Sequence, residues 1–184
     1  MKTFKLFFSL LILLMIGQRS FAQEKTVTVG GAPMYPSKNI IENAVNSKDH
    51  TTLVAAVKAA GLVETLSGPG PFTVFAPTNK AFDKLPKGTV ETLVKPENKA
   101  TLTGILTYHV VSGKMSAEDL MKAIKDGGGK ATLTTVAGGT LTAMQKGKKI
   151  ELTDAKGDVA TVTIPDVFQS NGVIHVIDTV LLPN

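Results

Sequence analysis

The chain has no cysteine and no tryptophan, and only two tyrosines and three histidines among 184 residues. Without cysteine there is no disulfide, no thiolate nucleophile and no thiol for a lipid, so stability rests on packing alone. The scarcity of large aromatics leaves few stacking platforms for sugars or bases. Three histidines, His50, His109 and His175, with no i/i+4 pair and no nearby acid cluster, argue against a metal site. No cofactor motif is present either. "GGGKAT" (127–132) fails the phosphate-loop pattern, because Ile124 stands where the first glycine belongs and Ala131 where Ser or Thr belongs. There is no G-x-S-x-G, and the carboxylates are scattered singly, which leaves no indicated hydrolase nucleophile or glycosidase pair.

The one long apolar run is at the start. Lys2 and Lys5 precede a stretch from Phe7 to Ile16, and Ser20-Phe21-Ala22 has a small-x-small pattern. This predicts a secretory signal peptide over residues 1–22, cleaved near Ala22-Gln23, giving a secreted or periplasmic protein. No later run is long enough to span a bilayer. The chain carries 20 basic and 15 acidic residues; removing Lys2, Lys5 and Arg19 lowers the net charge from +5 to +2. The high pI therefore owes much to the leader and gives no case for nucleic acid. What remains is large enough for one core, burying roughly 68–70% of its unfolded surface.

Residues 23–37, with Gly30-Gly31, Pro33 and Pro36, read as an extended segment ahead of a domain over 38–184. Up to about Asp126 the pattern is mostly helical. Asp49 or Thr51 can cap a helix that Gly61 stops, and Thr78 can cap a turn bearing Ala81 and Phe82 after the strand "FTVF" (72–75). Residues 89–94 and 97–107 read as short helices separated by Pro96, and "TYHVV" (107–111) as a strand. Ser116 with Asp119 forms a capping box for a helix ending at Gly127. Strands follow at 131–137, 140–146, 148–153, 158–164 and 172–182. Helices first and a β-meander later predict an α+β domain.

Three stretches, "GPFTVFAPTNKAF" (70–82), "ILTYHVV" (105–111) and "NGVIHVIDTVLLP" (171–183), occur in this order at domain-scale spacing. Together they closely resemble the fasciclin-type (FAS1) domain, as a single-domain exported bacterial-type member. The resemblance implies an α+β FAS1 fold, a wedge-shaped β-sandwich with helices packed on one side. It also implies an extracellular adhesion or ligand-binding role, usually without catalysis.

His175 and Asp178 interrupt the apolar C-terminal run. In a strand they point to opposite faces, so they cannot form one catalytic pair. Each is expected to be buried against a partner from another segment, with Thr78, Asn79 and His109 as candidates, because an unpaired buried polar group costs about 1–3 kcal/mol. The resemblance makes Thr78, Asn79, His109, His175 and Asp178 a structural motif. It also implies binding roles for Tyr108 and His109, a region linked to integrin binding in animal members. "IPDVF" (164–168) is expected to be an exposed segment, with Pro165, Asp166 and Val167 matching the Pro-Asp-aliphatic segment of those members; Ile164 stands where they have Glu. "QKGKKIE" (145–151) reads as a charged hairpin tip, solvated by default, with anionic polymer binding as the lesser reading. The sequence thus predicts a monomeric, non-catalytic, exported domain that attaches to an extracellular protein or polysaccharide. A periplasmic small-ligand carrier is the alternative, and a hydrolase ranks below both.

Overall fold

The computed structural model describes residues 25–183; the leader assigned to residues 1–22 lies outside the described residues. The segment expected to run extended ahead of the domain forms a hairpin instead. Its strands Val27–Val29 (β1) and Ala32–Met34 (β2) turn at Gly30-Gly31, and Val29 and Met34 are buried. Short helices follow at Ile40–Ala44 (α1), Thr51–Ala60 (α2) and Val63–Ser67 (α3), then the strand Phe72–Pro77 (β3). Helices Asn79–Phe82 (α4), Thr89–Leu93 (α5) and Lys99–Tyr108 (α6) lead to strand Val110–Ser112 (β4) and helix Ala117–Asp126 (α7). The rest is strand: Lys130–Thr134 (β5), Thr140–Lys146 (β6), Lys149–Thr153 (β7), Val159–Gln169 (β8) and Gly172–Ile177 (β9).

Seven strands form one sheet in the order β4-β3-β9-β8-β7-β6-β5, antiparallel except for the β3–β9 pair. Its ends nearly meet: Val111 bridges to Thr135, and the Val136 N–H donates to the Val110 carbonyl at 2.7 Å. The expected α+β architecture is therefore present, with the sandwich made by one sheet bent almost closed. Inside it Phe75, Leu133, Leu141, Leu152 and Ile177 pack with Leu120 and Ile124 of α7. On the other face of β3 and β9, Val74, Ala76, Ile174 and Val176 pack under α2, α6 and the hairpin. All six residues of β9 are buried, as a central strand covered on both faces requires.

Local signals set some element ends. Ser116 and Asp119 form the expected capping box, and Gly61 ends α2 in the left-handed region at φ 74°. Gly172 is required where two strands approach, since a Cβ there would stand 2.3 Å from the Phe72 carbonyl oxygen.

Three further expectations are corrected. Neither Asp49 nor Thr51 caps α2. Asn79 does so from across the fold: its Oδ1 accepts from Thr52 N–H at 3.0 Å and from the Thr51 hydroxyl at 3.2 Å, and its Nδ2 donates to the Lys48 carbonyl at 2.9 Å. "TYHVV" is not one strand. Thr107 and Tyr108 complete α6, where Leu102, Ile105 and Leu106 set a helical stripe and the Thr107 hydroxyl donates to the Thr103 carbonyl at 2.7 Å. Finally, "IPDVF", expected to be an exposed segment, is the middle of β8. The register shifts between Val162 and Ile164 and again between Ile164 and Val167, and this irregularity accommodates Pro165 within a strand.

Candidate functional site

His175 lies fully buried on β9, stacked 5.7 Å from the Phe75 ring. Its Nδ1 accepts from the Asp166 N–H at 3.3 Å, so the proton sits on Nε2, which donates to the Met115 carbonyl at 2.9 Å. Burial pushes its pKa below the ordinary imidazole value. Asp166 occupies the left-handed region at φ 58°, uncommon for a residue with a side chain. Its Oδ1 accepts from the Ala117 N–H at 2.7 Å, at the first turn of α7. β9 thus holds the β8 irregularity, and that irregularity holds the start of α7.

His109, at the C-terminal end of α6, has the opposite tautomer. Nε2 accepts from the Leu181 N–H at 3.0 Å, and Nδ1 donates to the Ile105 carbonyl at 2.8 Å. Burial drives its pKa from 6.5 down to about 4. The Tyr108 hydroxyl donates to the Thr140 carbonyl at 2.7 Å and accepts from the Ala155 N–H at 3.1 Å, and burial raises its pKa. Tyr108 is 1% exposed and His109 3%, so neither side chain forms part of the outer surface.

The expected motif residues do not bond to one another. Thr78 caps α4 through the Ala81 N–H at 3.3 Å, and Asn79 holds α2. Asp178 is not buried: its side chain is 41% exposed, near Lys84 at 3.9 Å. Its Oδ1 accepts from the Thr161 N–H at 2.8 Å, which binds the end of β9 to β8. Apart from Thr78, whose partner Ala81 is three residues away, each of these side chains meets a backbone N–H of another segment. Asn171 and Asp154 do the same work without having been singled out by the sequence. Asn171 accepts from the Ile40 N–H at 3.0 Å and donates to the Leu66 and Gly68 carbonyls, both at 2.9 Å. Asp154 accepts from the Lys156 and Asp158 N–H groups and, at 2.8 Å, from Leu182 N–H. Their turn sequences, Asn171-Gly172 and "TDAKGD" (153–158), were the only signal.

Of the segment matched to animal members, Val167 is 1% exposed and belongs to the core, and the Asp166 carboxylate is engaged with α7. Only Pro165 is exposed. It borders a groove of about 160 Å³ whose walls include Met121, Lys148, Lys149, Ile150 and Thr163. Ser47 and His50 form a buried hydroxyl–imidazole pair at 2.9 Å, packed beneath the Gly30 turn, where even a Cβ on Gly30 would stand 2.4 Å from the Ser47 oxygen. Among the described residues no three His, Cys, Asp or Glu side chains gather as a metal site would need, and no helix is long and apolar enough to cross a membrane.

A nearly closed seven-stranded sheet with a helical layer on one face is the FAS1 fold. A solved FAS1 domain pair from the insect cell adhesion molecule Fasciclin I superposes with a TM-score of 0.70 at 19% identity, covering 87% of this chain and 58% of that one. The chain belongs to the fasciclin-domain family, whose Fasciclin domain profile matches residues 48–183. Protein sll1483 of Synechocystis is 49% identical over 160 residues, spanning 87% of this chain and 82% of its own length. The cell surface glycolipoprotein MPB83 of Mycobacterium bovis is 33% identical over 172 residues, 91% of this chain and 70% of its own.

Two outcomes follow from this geometry. Asp166→Ala leaves the Ala117 N–H without its partner and puts alanine in the left-handed region, so it is expected to cost about 1–3 kcal/mol in urea unfolding. Asp166→Asn keeps an acceptor and a residue tolerant of that backbone, and should unfold close to wild type; equal stability of wild type and Asp166→Ala would refute the capping role. The second concerns pH. Unfolded His109 titrates near 6.5, whereas the folded residue resists a proton until about pH 4. Below pH 6.5 the unfolded state therefore binds more protons, and stability falls as pH drops towards 4, by about 3 kcal/mol from this residue alone. His175 and His50 are shifted in the same direction. Urea midpoints between pH 7.5 and 4.5 measure this, and a flat profile would contradict it.

Proposed function

We propose that this chain is an exported, monomeric, non-catalytic binding module that attaches to an extracellular protein or polysaccharide at the groove beside Pro165. The observation that carries the reading is the composition of that groove. Half-buried Met121 and exposed Pro165 supply apolar contact, with Pro165 also a rigid border, and exposed Lys148 and Lys149 supply positive charge, while Ile150 forms the buried floor. Such a surface suits an acidic chain that combines charge with some hydrocarbon, such as an anionic polysaccharide or an acidic protein segment. A binding role is further supported by how the motif side chains are used. Tyr108, His109 and His175 are bonded internally and buried, so none is free to act as a general base at a cleft. Export rests on the charged and apolar leader with cleavage near Ala22-Gln23, and a relative named as a cell surface glycolipoprotein agrees with it.

Reversing both charges, Lys148→Glu with Lys149→Glu, tests the site. Both residues are exposed, and surface changes of this kind usually move stability by only about 0.5 kcal/mol. Retention on immobilised alginate and on the native cell-surface matrix should fall about tenfold or more, and wild-type retention should weaken with added salt. Undiminished retention by the folded double variant would eliminate this groove as the contact.

A further inference from the structure

On the opposite side of the sheet, the hairpin and helices α1 to α3 arch over β3 and β9 and leave a cavity of about 50 Å³. Val57, Leu66, Val74 and Ile174 line its interior, and half-buried Ile41, Val54 and Val63 belong to its border. The wall offers water almost nothing. Ser47 is bonded to His50, and both nitrogens of His109 are taken. His50 Nε2 alone in this wall is buried without a hydrogen bond; it faces the Ala76 carbonyl without reaching bonding geometry. An ordered water needs two to four polar partners, so a space with one such nitrogen stays dry and favours hydrocarbon.

The border adds a charge. Lys58 contributes to the lining, is exposed, and forms no ion pair among the described residues, while no Asp or Glu lines the cavity. We propose that this cavity binds the hydrocarbon end of a single-chain aliphatic carboxylate, with the Lys58 ammonium meeting its head group. The size sets the class of ligand. An apolar cavity of about 150 Å³ accepts benzene, so a space one-third as large admits the end of an alkyl chain but neither a ring nor a two-chain lipid. The remaining methylenes would lie along the half-buried apolar border and extend to Lys58. This site is separate from the groove beside Pro165, and it stands or falls independently of attachment there.

Sodium decanoate is the test ligand, titrated into the chain with methyl groups of Ile, Leu and Val labelled for NMR. Saturable shifts are expected at Val57, Leu66, Val74 and Ile174. Lys58→Glu, an exposed change that keeps the fold, should weaken decanoate by about fivefold through loss of one surface ion pair, while leaving decanol affinity unchanged. Absence of saturable shifts, or shifts confined to residues elsewhere, would overturn the site. Equal decanoate affinity in wild type and Lys58→Glu, or an equal loss for decanol, would overturn the head-group assignment.

Discussion

A buried imidazole can stay neutral only by giving up a proton, and a neutral ring has one donor and one acceptor that both need partners. His109 and His175 meet this demand with backbone groups that lack partners of their own. His109 joins the end of α6 to Leu181, 72 positions away, and His175 joins β9 to Met115, 60 positions away. The remaining stability depends on this exchange, because the segments served are irregular: the tail beyond β9, the approach to α7 and the displaced register of β8. Each unmet group would cost about 1–3 kcal/mol in a fold whose total is typically about 5–15 kcal/mol. In a chain without disulfides, two such side chains do much of what cross-links do elsewhere.

The same arrangement divides the molecule into a fixed interior and a usable exterior. The residues that identify the family are largely consumed inside: Tyr108 binds the β6 and β7–β8 segments, Asn79 caps α2, and Asn171 ties the β8–β9 turn to α1 and α3. The two binding surfaces proposed above lie around them. One surface is the charged groove beside Pro165, kept in shape by Asp166 at its uncommon backbone angle and by the His175 bond behind it. The other is the dry cleft under α1 to α3.

How much of this was legible in the sequence depended on distance along the chain. The Ser116–Asp119 capping box and the Gly61 stop are written within a few residues, and both were readable. The order of helices and strands followed from periodicity, but β9 ends at Ile177, one residue before Asp178, where a strand over 172–182 was expected. The partners of His175 and Asp178 did not follow, because backbone groups of Met115, Asp166 and Thr161 carry no sequence signature. Thr107 and Tyr108 misled because β-branched and aromatic residues suggest a strand, while packing of Leu102, Ile105 and Leu106 kept them helical. The segment around Pro165 was expected to be exposed, and only the displaced register shows how it fits inside β8. The groove was invisible because Lys148–Ile150, Pro165 and Met121 meet only in three dimensions.

The most direct test of the account is the protonation state of the two imidazoles, read from their nitrogen chemical shifts by NMR at pH 6. Both rings should be neutral and in opposite tautomers, with the proton on Nδ1 in His109 and on Nε2 in His175. A charged ring at that pH, or two tautomers averaging at either site, would contradict the view that these bonds hold the fold together.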